Sequence, residues 1–193
     1  MSTTRTARSR SSRTRLVSAA ASVALAALSL TTYGAAFASA APVAKTTASA
    51  AKSVPCEGSN TKTVATPVNR PVNHMLLTVT NVSKKSCDLY GYPAVRFGEA
   101  QSVPPVIEDS KPQAVVTLAP GESGYAGITL SAADGSGKHG STEKNLTVYF
   151  QGRNTVESVG KGATPKLPSG GVYIDDTLKV TYWQADRDDA LMW

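Results

Sequence analysis

The chain has 193 residues, of which 41% are hydrophobic, 18% charged and only 6% aromatic. This size suits one modest globular domain with additional non-globular sequence, rather than two full domains. The formal net charge is +6, from 20 basic and 14 acidic residues. Five of the basic residues are arginines among positions 5–15, which leaves 15 basic residues against the same 14 acidic ones in the rest of the chain. A nearly neutral remainder argues against binding of nucleic acid or of an anionic membrane surface.

The N-terminus has the three-part pattern of a secretory signal peptide. The arginines are followed by a fifteen-residue apolar run, Leu16 to Leu30, and then by small side chains that end in Ala38 and Ala40. Because signal peptidase accepts small side chains at these positions, we predict a signal peptide over residues 1–40, cleaved after Ala40. The alternative is an uncleaved anchor, but Ala, Ser and Thr insert weakly into membranes. The protein is therefore expected to be extracellular, secreted or associated with the cell wall, and to meet the membrane only through the leader.

Two segments follow the leader. Residues 41–54 consist mainly of Ala, Thr, Ser and Lys, and such a composition buries too little apolar surface to offset the entropy of ordering. We interpret them as a flexible, low-complexity spacer. The first cysteine, Cys56, lies far beyond the apolar run and follows Pro55, which is unlike a lipoprotein. The folded domain is expected over residues 55–193.

In this domain the apolar residues recur with a period of two, which is typical of half-buried β-strands. The inward-facing positions, in chain order, are Met75, Leu77, Val79, Cys87, Leu89, Val95, Phe97, Val116, Leu118, Ala126, Ile128, Leu130, Leu146, Val148, Phe150, Leu178, Val180 and Tyr182. Turn sequences separate these runs, and Pro120-Gly121 fits a type II turn. The pattern predicts an all-β domain built as an antiparallel sandwich of seven to nine strands.

The two cysteines, Cys56 and Cys87, are an even pair in a chain expected to be exported. An oxidising compartment favours a structural disulfide between them. The alternatives are a redox dithiol and a thiolate metal site, but the wide spacing does not match the two-residue spacing of those motifs. A disulfide would tie the N-terminal part of the domain to the sheet.

Several motifs together resemble a known family. They are Cys56, the run Leu77-Thr-Val-Thr-Asn81, the run Ser86-Cys-Asp-Leu-Tyr-Gly-Tyr-Pro-Ala-Val95, and Leu118-Ala-Pro-Gly121. Over about residues 56–183 the chain is similar to a family of secreted and lipoprotein domains of actinobacteria that is catalogued only as a domain of unknown function. The resemblance implies an antiparallel immunoglobulin-like β-sandwich with the two cysteines bridged. It implies no catalytic residues.

Only two side chains, His74 and His139, would act as unperturbed bases near neutral pH. His74 begins a strand, and His139 lies in a Gly-rich loop that is poorly suited to a preorganised catalytic group. The segment Gly121 to Gly124 has the wrong spacing for a nucleophile elbow. The loop Gly135 to Gly140 lacks the first glycine and the final Ser or Thr of a phosphate-binding loop. We therefore predict no enzymatic activity and no cofactor.

Two acidic clusters and one set of histidine and methionine residues are candidate metal sites, and we predict that none of the three binds a metal. Asp175 and Asp176 form one acidic cluster, and a second consists of Asp186, Asp188 and Asp189; neither has the order of an EF-hand loop. We interpret the first as a turn at a strand end and the second as a solvated tail, with a calcium site of another geometry as the alternative. Copper ligation by His74, Met75 and Met192 is disfavoured, because adjacent residues of a strand face opposite ways.

The aromatic residues are the remaining candidates for binding. By alternation, Tyr90, Tyr149 and Trp183 fall on outward positions, whereas Phe97, Phe150 and Tyr182 face inward. Outward aromatic side chains can stack on sugars or anchor a protein interface. The alternative is that they pack under loops or against cross-strand neighbours.

We therefore expect an exported, non-enzymatic module that binds a partner or serves a structural role at the cell surface, in the wall or in the medium. Its partner would be an extracellular protein or a cell-wall glycan. The alternative is a protease inhibitor that presents the loop 132–143, because loops on rigid sandwiches commonly carry function. A hydrolase that uses His74 or His139 ranks below both.

Overall fold

The structure is a computed structural model that describes residues 53–193; the expected leader and the spacer as far as residue 52 lie outside the described residues. The described chain forms β-strands joined by turns, one 3₁₀ turn (Glu108–Ser110) and one short helix, α1 (Arg187–Ala190). The strands are β1 (Val54–Pro55), β2 (Thr61–Val68), β3 (His74–Asn81), β4 (Cys87–Phe97), β5 (Val106–Ile107), β6 (Val116–Leu118), β7 (Ser123–Thr129), β8 (Ser141–Glu143), β9 (Leu146–Gln151), β10 (Ser158–Ala163), β11 (Val172–Ile174) and β12 (Lys179–Thr181). The prediction of an all-β domain is confirmed.

The first sheet has the strand order β2-β3-β7-β12-β5. Its most extensive pairings are those of β3, which pairs antiparallel with β2 along its whole length and with β7 from His74↔Thr129 to Thr80↔Ser123. The strand β12 pairs antiparallel with β7, and the two-residue strand β5 runs parallel to β12. The strands β3, β7 and β12 of this sheet carry part of the apolar alternation on which the sequence prediction rests.

The second sheet is organised around β4. The first residues of β4 pair with β6 on one side and, in parallel, with the short β1. The later residues pair with β9, whose other edge pairs with β10. Between Tyr90 and Ala94 the register of β4 shifts, and Gly91 has a φ of 59°. Pairing with β9 begins at Tyr90, directly after the last pair with β6 at Leu89, and this β-bulge follows within the β9 pairing.

The two sheets share one hydrophobic core. Met75, Leu77 and Val79 of β3 and Val148 and Phe150 of β9 belong to the same buried cluster. These side chains were all predicted to face inward, and that part of the sequence interpretation is confirmed. The two parallel pairs, β1 with β4 and β12 with β5, differ from the expectation of purely antiparallel pairing.

The two longest strands that the sequence pattern did not predict lie at sheet edges. Among residues 53–193, β2 pairs only with β3, and β10 pairs only with β9. An edge strand buries few side chains, so β2 tolerates exposed Lys62 and Pro67, and β10 contains Gly160 and Gly162. Lysine and proline on an edge also discourage pairing with another chain. Neither strand therefore shows the alternation that marks a half-buried one.

Cys56 and Cys87 form the expected disulfide, with their Cα atoms 4.9 Å apart. Both cysteines are buried in the core. The bridge joins the segment after β1 to the first residue of β4, and the backbone N–H of Cys56 donates to the carbonyl of Asp88 at 2.9 Å. The N-terminal segment is thereby fixed to the second sheet.

The C-terminal acidic cluster is not simply a solvated tail, as the sequence suggested. It contains α1, whose Ala190 is buried against β7. Gly127 of β7 allows this contact, because a Cβ atom at that position would overlap the Ala190 carbonyl. The aspartates themselves remain exposed. Within residues 53–193, no helix has the length and apolar character needed to cross a membrane.

Candidate functional site

A cleft of about 380 Å³ lies where four segments distant in sequence meet. Its walls are residues 89–92 of β4, residues 111–116 leading into β6, Arg153 and Thr155 after β9, and Tyr182 with Trp183 after β12. Four of these residues are aromatic: Tyr90, Tyr92, Tyr182 and Trp183. A volume of this size falls in the range of small-ligand sites. The cleft is therefore the candidate binding site.

Trp183 is part of the core and not an outward residue, which corrects the sequence interpretation. It is only 1% exposed and stacks on Phe150, with ring centroids 5.9 Å apart and planes 8° apart. The alternation fails because β12 ends at Thr181. Beyond that point the N–H of Trp183 donates to the carbonyl of Gly91 in the second sheet, 3.1 Å away. The chain thus passes from the first sheet to the second at Trp183. The buried Trp183 side chain forms the part of the cleft wall that borders the core.

Tyr182 differs from its predicted position in the opposite direction, because it is more exposed than expected. The sequence predicts an inward side chain, but Tyr182 is half-buried at the cleft. Its ring meets that of Tyr92 edge to face at 5.3 Å, and its hydroxyl donates to Glu108 at 2.9 Å. Burial, followed by this bond to a carboxylate, raises the pKa of Tyr182 above its ordinary value. The hydroxyl therefore stays protonated at neutral pH.

Tyr90 also differs from its predicted position, because it is only 5% exposed. Its hydroxyl donates to Asp88 at 2.7 Å, and the guanidinium of Arg153 lies 5.4 Å from its ring centroid. Burial, and then the hydrogen bond and negative charge of Asp88, raise the pKa of Tyr90 despite the opposing charge of Arg153. The sequence could not show this burial, since the residue that covers the ring, Arg153, comes from the turn after β9.

Asp88 does not line the cleft but holds a residue that does, Tyr90, through a hydrogen bond. Its carboxylate accepts hydrogen bonds from Ser53, Tyr90 and Thr117. Burial is the largest single influence on its pKa and opposes ionisation. The three hydrogen bonds and the charge of Arg153 outweigh it together and lower the pKa below its ordinary value. Asp88 is therefore a carboxylate at neutral pH, and it fixes the position of Tyr90.

One wall of the cleft is an exposed length of chain with free main-chain groups. Gln113, Ala114 and Val115 make no main-chain hydrogen bond to any residue from 53 to 193. Their side chains are exposed, and that of Val115 is 51% exposed. The pairing of β6 with β4 begins only at Val116. No sequence signal marks this wall apart from Pro112, which cannot donate a main-chain hydrogen bond.

Two basic side chains stand at the cleft. Lys111 has its Nζ 5.8 Å from the ring centroid of Tyr182, and Arg153 lies over Tyr90. They are the charged side chains that line the cleft, and both are exposed. The acidic partners of the two tyrosines, Asp88 and Glu108, are not lining residues. The side chains that line the cleft therefore carry a net positive charge, and the exposed carboxylate of Glu108 lies at its edge, on the Tyr182 hydroxyl.

Two buried polar atoms near the cleft have no hydrogen-bond partner in the described part of the chain: Nε1 of Trp183 and Oε1 of Gln151. Trp183 lines the cleft, and the Gln151 oxygen lies beside Gly91, which also lines it. Buried polar atoms normally have a partner, because leaving one unpaired costs roughly 1–3 kcal/mol. These atoms add an unused donor and an unused acceptor at this end of the core.

Tyr149, the third predicted binding residue, does not belong to the cleft. It is half-buried, on the face of β9 opposite Val148 and Phe150, as the alternation predicts. The neighbouring residue across from it is Gly162 of β10, where a Cβ atom would come within 3.2 Å of the ring. The structure therefore brings together Tyr90 and Trp183 of the three candidates, and adds Tyr92 and Tyr182.

The histidines also lie away from the cleft. The ring of His74 lies within hydrogen-bond distance of three groups: Nδ1 is 2.6 Å from the main-chain oxygen of Val72, and Nε2 is 3.2 Å from that of Trp193 and 3.1 Å from the Thr129 hydroxyl. His139 is exposed in its loop. Met75 is buried in the core and Met192 is 69% exposed. Among residues 53–193, no three His, Cys, Asp or Glu side chains converge as metal ligands would.

The loop 132–143 is exposed but fixed at several points. The N–H of Lys138 donates to Asp176 at 2.7 Å, and the N–H of Asp176 donates back to the Lys138 carbonyl at 3.1 Å. At its end, β8 pairs with β11. Asp175 and Asp176 occupy the turn between β11 and β12, as predicted.

Comparison with protein families gives one match: the family model described as "Domain of unknown function (DUF4232)" matches residues 56–184. The matched region extends from the first cysteine through Trp183 and so includes the cleft. Comparisons with curated proteins and with solved structures give no match.

Proposed function

The chain belongs to the DUF4232 family. We propose that it is an exported, non-enzymatic binding module that takes its ligand in the cleft. The observation that carries the proposal is the cleft itself. It joins aromatic walls, two exposed cations and a length of unpaired main chain in a volume of about 380 Å³. Concave sites with apolar walls and a few convergent polar groups are the usual form of a binding site.

The ionisable groups of the cleft favour binding over proton transfer. Tyr90 and Tyr182 have a raised pKa and remain protonated at neutral pH. Lys111 and Arg153 offer hydrogen-bond donors and positive charge. A general base must lie within reach of the proton it removes, and the residues that line the cleft provide donors instead.

Export is supported by the leader pattern of residues 1–40 and by the disulfide. A buried disulfide between Cys56 and Cys87 is a bond that oxidising compartments maintain and the cytosol normally does not. We propose that the module acts at the cell surface, in the wall or in the medium.

The proposal is tested by placing a charge in the cleft. Val115→Glu replaces an exposed apolar side chain that lines the cleft, and Val64→Glu makes the same change on β2 of the other sheet, where the valine is 43% exposed. We expect Val115→Glu to reduce association of the full chain with surface material of the producing cells by about fivefold or more, equal to roughly 1 kcal/mol. Val64→Glu should leave it unchanged. Equal behaviour of the two variants would reject the cleft as the binding site.

The histidines provide a second test of the same proposal. Joint replacement of His74 and His139 by Gln should leave surface association unchanged, because neither residue lines the cleft. Loss of association, or of a measured turnover, would instead indicate a histidine-dependent site. Trp183→Ala is not a suitable probe of binding, since deleting a buried tryptophan costs roughly 3–5 kcal/mol of stability.

A second candidate function is protease inhibition by the loop 132–143. The observation in its favour is the mutual pair of hydrogen bonds between Lys138 and Asp176, which restrains an exposed loop. A loop that occupies a protease without being cut must be restrained in this way. Incubation with a panel of proteases separates the outcomes: stoichiometric inhibition with an intact loop supports this function, and rapid cleavage within 132–143 rejects it.

A further inference from the structure

We infer that the ligand of the cleft is an extended, acidic peptide segment of an extracellular protein, bound by main-chain hydrogen bonds along residues 113–115 and by its carboxylates at Lys111 and Arg153. This inference rests on the proposed function and specifies the chemistry of the partner. It follows from three independent features of the cleft: its free main chain, its charge and the coverage of its aromatic rings.

The free main chain offers hydrogen bonds to a peptide. Gln113, Ala114 and Val115 present donors and acceptors that no residue from 53 to 193 satisfies. Gln113 and Ala114 form a bend, and the chain continues through Val115 into β6, which already pairs with β4. An extended peptide would therefore form individual main-chain hydrogen bonds at this segment rather than a regular ladder, and these bonds supply affinity.

The charge of the cleft selects an acidic peptide. Lys111 and Arg153 are its charged lining residues, and each lies near an aromatic ring that limits its freedom. A restrained guanidinium binds a carboxylate in a defined, two-point geometry. The protein's own spacer is disfavoured as the occupant, because residues 41–52 contain Lys45 and Lys52 and no acidic residue.

The aromatic rings favour a peptide over a glycan. Sugar binding by stacking requires an open ring face. Trp183 is only 1% exposed and packs on Phe150, and Tyr90 is 5% exposed beneath Arg153. Tyr182 contacts Tyr92 on one side and has Lys111 over its ring. The rings therefore position cations and form an apolar wall for aliphatic side chains.

The experiment measures binding of labelled peptides to the full chain by fluorescence polarisation. The first probe is a fluorescein-labelled heptapeptide of alternating valine and glutamate. The second replaces glutamate by glutamine, and the third keeps glutamate but carries N-methyl groups at alternate residues, which removes main-chain donors. A labelled chitohexaose is the glycan probe. We expect saturable binding of the first probe. The other three probes should bind with an affinity that is lower by a factor of about ten or more.

Charge variants locate the site on the protein. Arg153→Gln and Lys111→Gln should each weaken binding of the acidic peptide by about fivefold or more. Arg96→Gln and Lys179→Gln remove exposed charges of the same types outside the cleft and should have no effect. The melting temperature of each variant shows whether the fold is intact. Rescue of binding by Arg153→Lys, at reduced affinity, would further indicate a charge contact.

Four results would overturn the inference: no saturable binding of the acidic peptide, equal binding of its glutamine version, equal binding after N-methylation, or a preference for chitohexaose. Its failure is distinguishable from failure of the proposed function. If Val115→Glu abolishes surface association while the acidic peptide does not bind, the cleft is a binding site for another ligand. If Val115→Glu and Val64→Glu behave alike, the cleft is not the surface-binding site at all.

Discussion

At the scale of single residues, Asp88 is where the hydrogen bonds of the site converge. Its carboxylate joins Ser53 before β1, Tyr90 of β4 and Thr117 of β6. The side chain is buried, so each bond replaces water that the folded protein excludes. Hydrogen bonds to a charged group contribute about 1.5–3 kcal/mol each at most, and less once the cost of burial is included. Asp88 therefore couples the stability of this region to the position of Tyr90.

We predict that Asp88→Asn lowers the free energy of unfolding by about 1–3 kcal/mol at pH 7, since the amide offers one acceptor oxygen where the carboxylate has two. The folded-state pKa of Asp88 is lowered, so its contribution is complete above the unfolded-state pKa near 4 and is lost as pH falls through the folded-state value. Urea unfolding of the original protein and of Asp88→Asn, between pH 3 and 8, measures the difference in their free energies of unfolding. This difference should be constant above about pH 5 and should become smaller below about pH 4. Asp189→Asn, at an exposed position of α1, is the control.

At the scale of elements, the bulge of β4 shapes the cleft. Gly91 has a φ of 59°, and a Cβ atom there would overlap the side-chain oxygen of Gln151. The carbonyl of Gly91 also accepts the N–H of Trp183. One residue thus sets the direction of β4, the position of Tyr90 and the attachment of the chain after β12. Gly121 likewise has a positive φ, of 85°, as the type II turn at Pro120-Gly121 predicts, but nothing lies within 4 Å of its missing Cβ.

This pair of glycines gives a matched test. We predict that Gly121→Ala costs about 1–2 kcal/mol of stability, from backbone strain alone. Gly91→Ala should cost more than Gly121→Ala, because the Gln151 side chain, which is only 8% exposed, must also shift to make room for the new Cβ atom. Chemical denaturation measures both values. A Gly91→Ala variant no less stable than Gly121→Ala would show that Gln151 moves aside freely and that the bulge does not hold the cleft in place.

At the scale of the whole molecule, the disulfide limits the freedom of the unfolded chain. Cys56 and Cys87 are separated by 31 residues in sequence. The chain-entropy relation gives about 3–4 kcal/mol for closing a loop of this length. We predict that replacing both cysteines by Ser lowers the free energy of unfolding by this amount. The total free energy of unfolding of a small domain is about 5–15 kcal/mol. Thermal unfolding with and without a reductant measures it, and an unchanged melting temperature on full reduction would contradict the prediction.

The mature N-terminus is a second prediction for the whole molecule. Ala38 and Ala40 follow the apolar run directly, so the exported protein is expected to begin at Ala41. N-terminal sequencing of protein recovered from the medium or the wall checks this. Protein that retains Met1 in a membrane fraction would show that the leader is an anchor and would reverse the expected location.

The sequence by itself determined the long strands in the interior of the two sheets. Met75, Leu77 and Val79 in β3, and Leu146, Val148 and Phe150 in β9, are buried as a period of two requires. Their intervening neighbours are more polar, except Leu76, which is itself buried. The disulfide and the turn at Gly121 were also accessible, because each depends on residue type and on neighbours along the chain. The family resemblance was carried by the same local motifs.

Only the tertiary structure decided which aromatic residues are accessible and where they meet. The alternation of apolar and polar residues predicts on which face of a sheet each side chain lies, and it holds only while the strand stays regular. The bulge at Gly91 and the end of β12 at Thr181 interrupt this regularity. Burial of Tyr90 depends on Arg153, more than 60 residues later in the chain. The cleft needs four segments between residues 89 and 183 to converge, and that convergence depends on how the two sheets pack, which no local period in the sequence encodes.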